Sequence, residues 1–191
     1  MPKLLRAISL DASDTYVFER TAAAGEWVVS GAFMFWDSDP RGLEGRAKQA
    51  FRAGFLGLTS FGWSTLAVVV EATDAEHEQA IESLVSFLVK DHGAPSAEAA
   101  RAAAEDELSF SASLADHPAQ TLVAVHRTVT PDGEIYEQFR TFHAADAKQA
   151  TAMPCSAGAF SVVEDEQDAG LTHFDLAGTV AAHQTVRARK P

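Results

Sequence analysis

Two strand-like runs, Thr121 to Thr130 and Glu134 to His143, flank Pro131, Asp132 and Gly133. Proline presets φ for the first position of a type I turn, and glycine accepts the left-handed bulge position, so a three-residue hairpin loop follows. With Thr130 opposite Glu134, the register can be written down. One face pairs Val129 with Ile135, Arg127 with Glu137, Val125 with Phe139 and Val123 with Thr141; the other pairs Thr128 with Tyr136, His126 with Gln138, Ala124 with Arg140 and Leu122 with Phe142. Opposite charges and apolar partners coincide across the pair, and a slip of one residue would undo both. The chain is therefore expected to hold an antiparallel sheet.

The segments upstream supply the rest of a mixed fold. Leu4, Ile8 and Leu10 alternate, with Arg6 breaking the face as on an edge strand; Asp11 to Asp14 reads as a turn, and Thr15 to Arg20 as a second strand. Glu26 to Trp36 is apolar on both parities and predicts a central strand. Leu43, Ala47, Ala50, Phe51, Gly54, Phe55 and Leu58 recur at helical spacing, and Trp63 to Glu71 reads as a buried strand. A helix capped at Asp74 carries Ile81, Leu84, Val85, Leu88 and Val89 on one stripe and ends before Gly93 and Pro95. Ser96 caps a third, alanine-rich helix that runs toward Leu114 and stops before His117 and Pro118.

The expected fold class is α+β, an antiparallel or mixed sheet with about three helices packed mainly on one face. A single domain is expected over residues 1–143. Residues 144–191 are expected to form a C-terminal extension, loosely structured or adding a strand pair.

A chain of 191 residues can bury a core without staples, and a single cysteine, Cys155, makes no internal disulfide. The stretch from Met1 to Leu10 carries Lys3 and Arg6, too short and interrupted for the apolar part of a signal peptide. No uncharged apolar run approaches the roughly 20 residues that cross a bilayer. A cytoplasmic location is expected, with no membrane partner. A net charge of -12 repels a phosphate backbone, so no nucleic-acid partner is expected. Arg187, Arg189 and Lys190 form a local basic tip, read as a solvated tail.

The segments SGAFMFWDSDP (Ser30 to Pro40), FLGLTSFGWSTL (Phe55 to Leu66) and HPAQTLVAVHR (His117 to Arg127) resemble a family of short bacterial proteins of unknown function. The resemblance spans Lys3 to His143. It implies no activity and no catalytic residues.

Direct tests for chemistry point the same way. None of the seven histidines lies at HxH, HxxxH or His-Glu-x-x-His spacing, and His173 with Asp175 supplies only two ligands, so no metal and no cofactor is expected. No nucleophile elbow, phosphate loop or dinucleotide turn occurs, and Gly54, Gly57 and Gly62 read as loop and packing residues. No catalytic residue is assigned. The candidate ligand-binding pair is His126 and Arg140, diagonal neighbours on one hairpin face, where arginine would hold an anionic group and histidine could exchange a proton. On the opposite face Arg127 and Glu137 read as a cross-strand ion pair. Trp27, Trp36 and Trp63 read as core, with a hydrophobic pocket or a dimer seam as the alternative uses. The expected function is that of a non-enzymatic cytosolic binding or assembly protein, a homodimer with room for another protein partner. A small-molecule enzyme or sensor using His126 and Arg140 is the alternative.

Overall fold

The computed structural model describes residues 1–9, 12–37 and 39–142, and a short strand at residues 187–189. Seven strands lie between residues 3 and 142. They are β1 (Lys3–Ile8), β2 (Trp27–Val29), β3 (Phe55–Gly57), β4 (Trp63–Ser64), β5 (Leu66–Glu71), β6 (Leu122–Val129) and β7 (Ile135–Phe142). They form one sheet in the order β4-β3-β2-β1-β5-β6-β7, and every neighbouring pair is antiparallel. Arg187–Arg189 adds an eighth strand, β8, against Ile135 to Glu137 of β7. The helices are α1 (Ser13–Val17), α2 (Gly45–Ala53), α3 (Asp74–Asp91) and α4 (Ala97–Leu114). The architecture is α+β, as the sequence predicts. The expectation for residues 144–191 lies outside the described residues, apart from β8.

The hairpin adopts the register written above, pair for pair from Leu122–Phe142 to Val129–Ile135. Gly133 sits at φ 89° and its amide donates to the Thr130 carbonyl at 3.0 Å, closing the turn in a conformation that a residue with a β-carbon rarely adopts. β6 and β7 thus form a long rigid ribbon. β5 joins it to β1, whose six residues all pair with β5.

The helical spacing read from Leu43 to Leu58 holds only to Ala53, since Gly54 leaves the helix and Phe55–Gly57 is β3, and three further segments depart from expectation for local reasons. Thr15 to Arg20 forms no strand; Ser13–Val17 is helical, because the Asp14 carboxylate accepts from the amide and hydroxyl of Thr65 and Thr15 donates its hydroxyl to the Ala12 carbonyl. Local side-chain bonds of this kind compete with a strand ladder. The run from Glu26 to Trp36 is a strand only as far as Val29. Gly31 turns the chain at φ 75°, and Ala32–Phe35 forms a 3₁₀ turn that drives Phe35 onto Phe51 and Trp63, at ring separations of 5.2 and 5.3 Å. Trp63 to Glu71 breaks at Thr65 into β4 and β5.

Helix α3 is capped one residue earlier than the sequence reading places it. The Thr73 hydroxyl accepts from the Glu76 amide at 3.2 Å while the Glu76 carboxylate accepts from the Thr73 amide at 2.9 Å, a reciprocal capping box. Ala80, Ile81, Leu84 and Phe87 of α3, with Ala104 and Leu108 of α4, pack with Leu4, Val29 and Leu56, which share one parity of the sheet. The opposite parity (Leu5, Val28, Phe55, Val69, Val123, Val125 and Phe139) forms a second core with Leu114 and Phe110 of α4. Phe18, Phe35, Ala50, Phe51 and Ile135 make a third cluster under α2. The three tryptophans are partly buried against these clusters, as core residues.

Candidate functional site

The two faces of the β6–β7 hairpin differ in how their polar groups are satisfied. On one, Arg127 lies among Val123, Val125, Ile135 and Phe139, and its side chain is 0% exposed; that of its partner Glu137 is 2% exposed. The pair is therefore buried, not the exposed ion pair that a hairpin facing water would carry. Its Nε donates to Glu137 Oε1 at 2.7 Å, Nη1 donates to the carbonyls of Phe51 at 2.9 Å and Gly54 at 2.8 Å, and Nη2 donates to the carbonyl and the hydroxyl of Ser30. Ser30 in turn donates its hydroxyl to Glu137. All five guanidinium N–H groups have acceptors, which is what a charge in an apolar interior requires. The two carbonyls from α2 are groups that a helix end leaves without internal partners, so the arginine also caps α2. Every partner is protein. This centre holds the fold together and leaves no donor for a ligand.

The other face carries His126 and Arg140. The register sets Thr128 opposite Tyr136, His126 opposite Gln138 and Arg140 opposite Ala124, so five polar side chains share one surface. Arg140 and Thr128 are exposed, and His126, Tyr136 and Gln138 are partly buried. His126 and Arg140 stand on diagonal positions, as their spacing predicts. Burial holds the His126 imidazolium below its ordinary acidity constant of 6.5, and the positive charges of Arg52 and Arg140 push it in the same direction. Histidine is therefore the neutral member of a local cluster whose other members, Arg52 from α2 and Arg140, are cations. Arg52 was not among the sequence candidates; nothing in its helical spacing marks it as a neighbour of β6.

The same sheet surface continues away from the polar group as an apolar row. Ile8, Leu66 and Ala124 lie in line with Arg140, and Arg6, Val68 and Leu122 lie in line with Phe142. Ile8, Leu66, Val68, Val70, Ala124 and Phe142 are all partly exposed, whereas Leu4 and Leu122 of the same face and the opposite-parity neighbours Ala7, Ala67, Val69 and Val123 are buried. Arg6 closes this row, with its guanidinium 3.8 Å above the Trp27 ring and bound to Glu76 at 2.9 Å.

A third feature is the loop from Leu58 to Gly62. The Glu26 carboxylate accepts from the amides of Ala23, Thr59 and Ser60 and from the Ser60 hydroxyl, which holds the loop in one shape. Phe61 takes φ 51°, rare for a bulky residue, and its ring stacks on Phe87 at 3.9 Å with 9° between planes. A β-carbon on Gly62 would lie 2.2 Å from the Thr21 carbonyl oxygen. The glycines of this segment are packing residues. Beside the loop, Thr59, Gln79, Glu82, Ser83, Lys90 and Asp91 line an open groove of about 450 Å³ over the Phe61–Phe87 stack. The groove carries both signs of charge and no converging set of acid, base and nucleophile. Among the described residues no group of three or more His, Cys, Asp or Glu side chains could hold a metal ion. His173, Asp175 and Cys155 lie outside the described residues.

The fold and its surfaces define an α+β protein built on one antiparallel sheet, with a salt-bridged core on one side of its hairpin and a donor-bearing surface on the other. The model of a family described as "Family of unknown function (DUF6505)" matches residues 1–158, and the chain belongs to that family. No curated protein and no solved structure matches it. No helix among the described residues is long and apolar enough to cross a membrane.

Proposed function

We propose that this chain is a non-enzymatic binding or assembly protein of the bacterial cytosol, and that it assembles as a homodimer through the partly exposed face of β1, β5, β6 and β7. The observation that carries this reading is the row of Ile8, Leu66, Val68, Val70, Ala124 and Phe142, six apolar side chains left partly open to water on strands whose other face is buried. Contiguous apolar surface of this kind marks association sites on soluble proteins. A two-fold contact is the commonest closed assembly, and it covers such a surface on both copies at once. A single cysteine and the absence of long apolar segments support the cytosolic placement. The net charge of -12 disfavours nucleic acid as the partner.

Light scattering from micromolar to millimolar concentration tests this. The expected mass is twice 20.4 kDa for the native chain, falling to a monomer for Val68→Glu, which places a charge in the middle of the row without touching the core. A native chain that stays monomeric over the whole range overturns the homodimer. A Val68→Glu variant that still dimerises moves the contact to another face.

A further inference from the structure

The polar half of the same sheet surface is built differently from its apolar half. Thr128, Tyr136, His126, Gln138 and Arg140 all carry a hydrogen-bond donor, none is a carboxylate, and they stand on two strands locked in register by eight residue pairs. None of the five makes a side-chain hydrogen bond or an ion pair within the described protein, in contrast to Arg127 and Glu137 one residue away. The acid of the same parity, Glu134, stands at the turn end of the face beside Thr130, away from Arg140. Arg52 adds a second cation from α2, which packs beside β6, and makes no ion pair among the described residues.

We infer that this surface is a binding site for an oxyanion, a phosphate or carboxylate group held by Arg140 and Arg52, with His126, Gln138 and Tyr136 as further donors. The chemistry is direct. A guanidinium presents paired N–H groups in the geometry of a carboxylate or phosphate edge, and charge-assisted bonds of that kind are the strong ones. Arg52 and Arg140 act on His126, and among the described residues no acid offsets them; a bound anion would supply negative charge and favour the imidazolium. Arg140 lies one row along the sheet from Val68, in line with Ala124 and Leu66, so the site borders the proposed dimer surface, and the separate variants Arg140→Met and Val68→Glu tell the two readings apart.

NMR titration of the histidine rings in the full-length protein tests the site, with His126 assigned through His126→Gln. Inorganic phosphate and citrate are the probes, and sodium chloride at matched ionic strength is the control. Phosphate or citrate is expected to raise the His126 midpoint by about half a pH unit or more over the chloride control. Arg140→Met and Arg52→Met, both at exposed positions, are expected to keep the native fold by circular dichroism and to abolish most of that rise. A larger response to phosphate than to citrate assigns the site to phosphate-bearing ligands, and the reverse assigns it to carboxylates. Equal midpoints in all three salts overturn the proposal, and so does a rise that persists in both methionine variants.

Discussion

Arg127 is the residue on which the interior depends most. Removing one partner of a buried pair leaves the other charge without compensation, which typically costs about 3–5 kcal/mol. Arg127→Leu is expected to lower stability to urea by that amount, since it strands Glu137 and also frees the carbonyls of Phe51, Gly54 and Ser30. Replacing both members with leucine should cost less than the sum of the two single changes, because neither charge is left behind. His126 acts in the opposite sense. Its proton affinity is lower in the folded chain than in the unfolded one, so the unfolded state takes up more protons as pH falls through 6.5. The stability it contributes is present above that pH and is lost on acidification toward the folded midpoint. Urea melts between pH 8 and pH 5 should show this slope, reduced in His126→Gln; equal slopes would remove His126 as its source.

At the scale of elements, the loop from Leu58 to Gly62 is the most tightly specified segment, and the least tolerant of change. Gly62→Ala would bring a methyl group against the backbone carbonyl of Thr21, and neither can retreat without opening the amide bonds that Ala22 and Trp63 make across the same gap. A loss of about 1–3 kcal/mol is expected, of the size of other overpacked sites, with faster amide exchange at Thr59 and Ser60 as the local signature. Elements also divide the parts of this fold that can be read from the sequence from the parts that cannot. The hairpin was legible to the residue, because turn chemistry, strand parity and charge pairing all agree on one register. Helices α3 and α4 were legible because caps and stripes agree. The segment from Glu26 to Trp36 misled, since apolar residues on both parities describe a buried strand and a strand followed by a tight turn equally well. Only the position of Gly31 separates the two. The burial of Arg127 and Glu137 had a signal, their place on the same parity as Val123, Val125, Ile135 and Phe139, but charge outweighed parity in the reading. Arg52 had none, as its neighbour lies 74 positions away.

At the scale of the molecule, one sheet organises three apolar clusters, and the open part of its surface divides into an apolar half and a donor half. The two halves make separable demands. Val68→Glu addresses association and Arg140→Met addresses anion binding, and each is expected to leave the other property intact, because the changed side chains lie in different rows of the sheet. The guanidinium of Arg127 has a consequence for the order of assembly. It gathers Ser30, the end of α2 and Glu137, which are far apart along the chain. As the polypeptide leaves the ribosome, Ser30 and the end of α2 emerge long before the arginine that stitches them to the hairpin, and until then the carbonyls of Ser30, Phe51 and Gly54 are bonded to water. Consolidation of the interior is therefore a late event, timed by the appearance of the last strand of the ribbon.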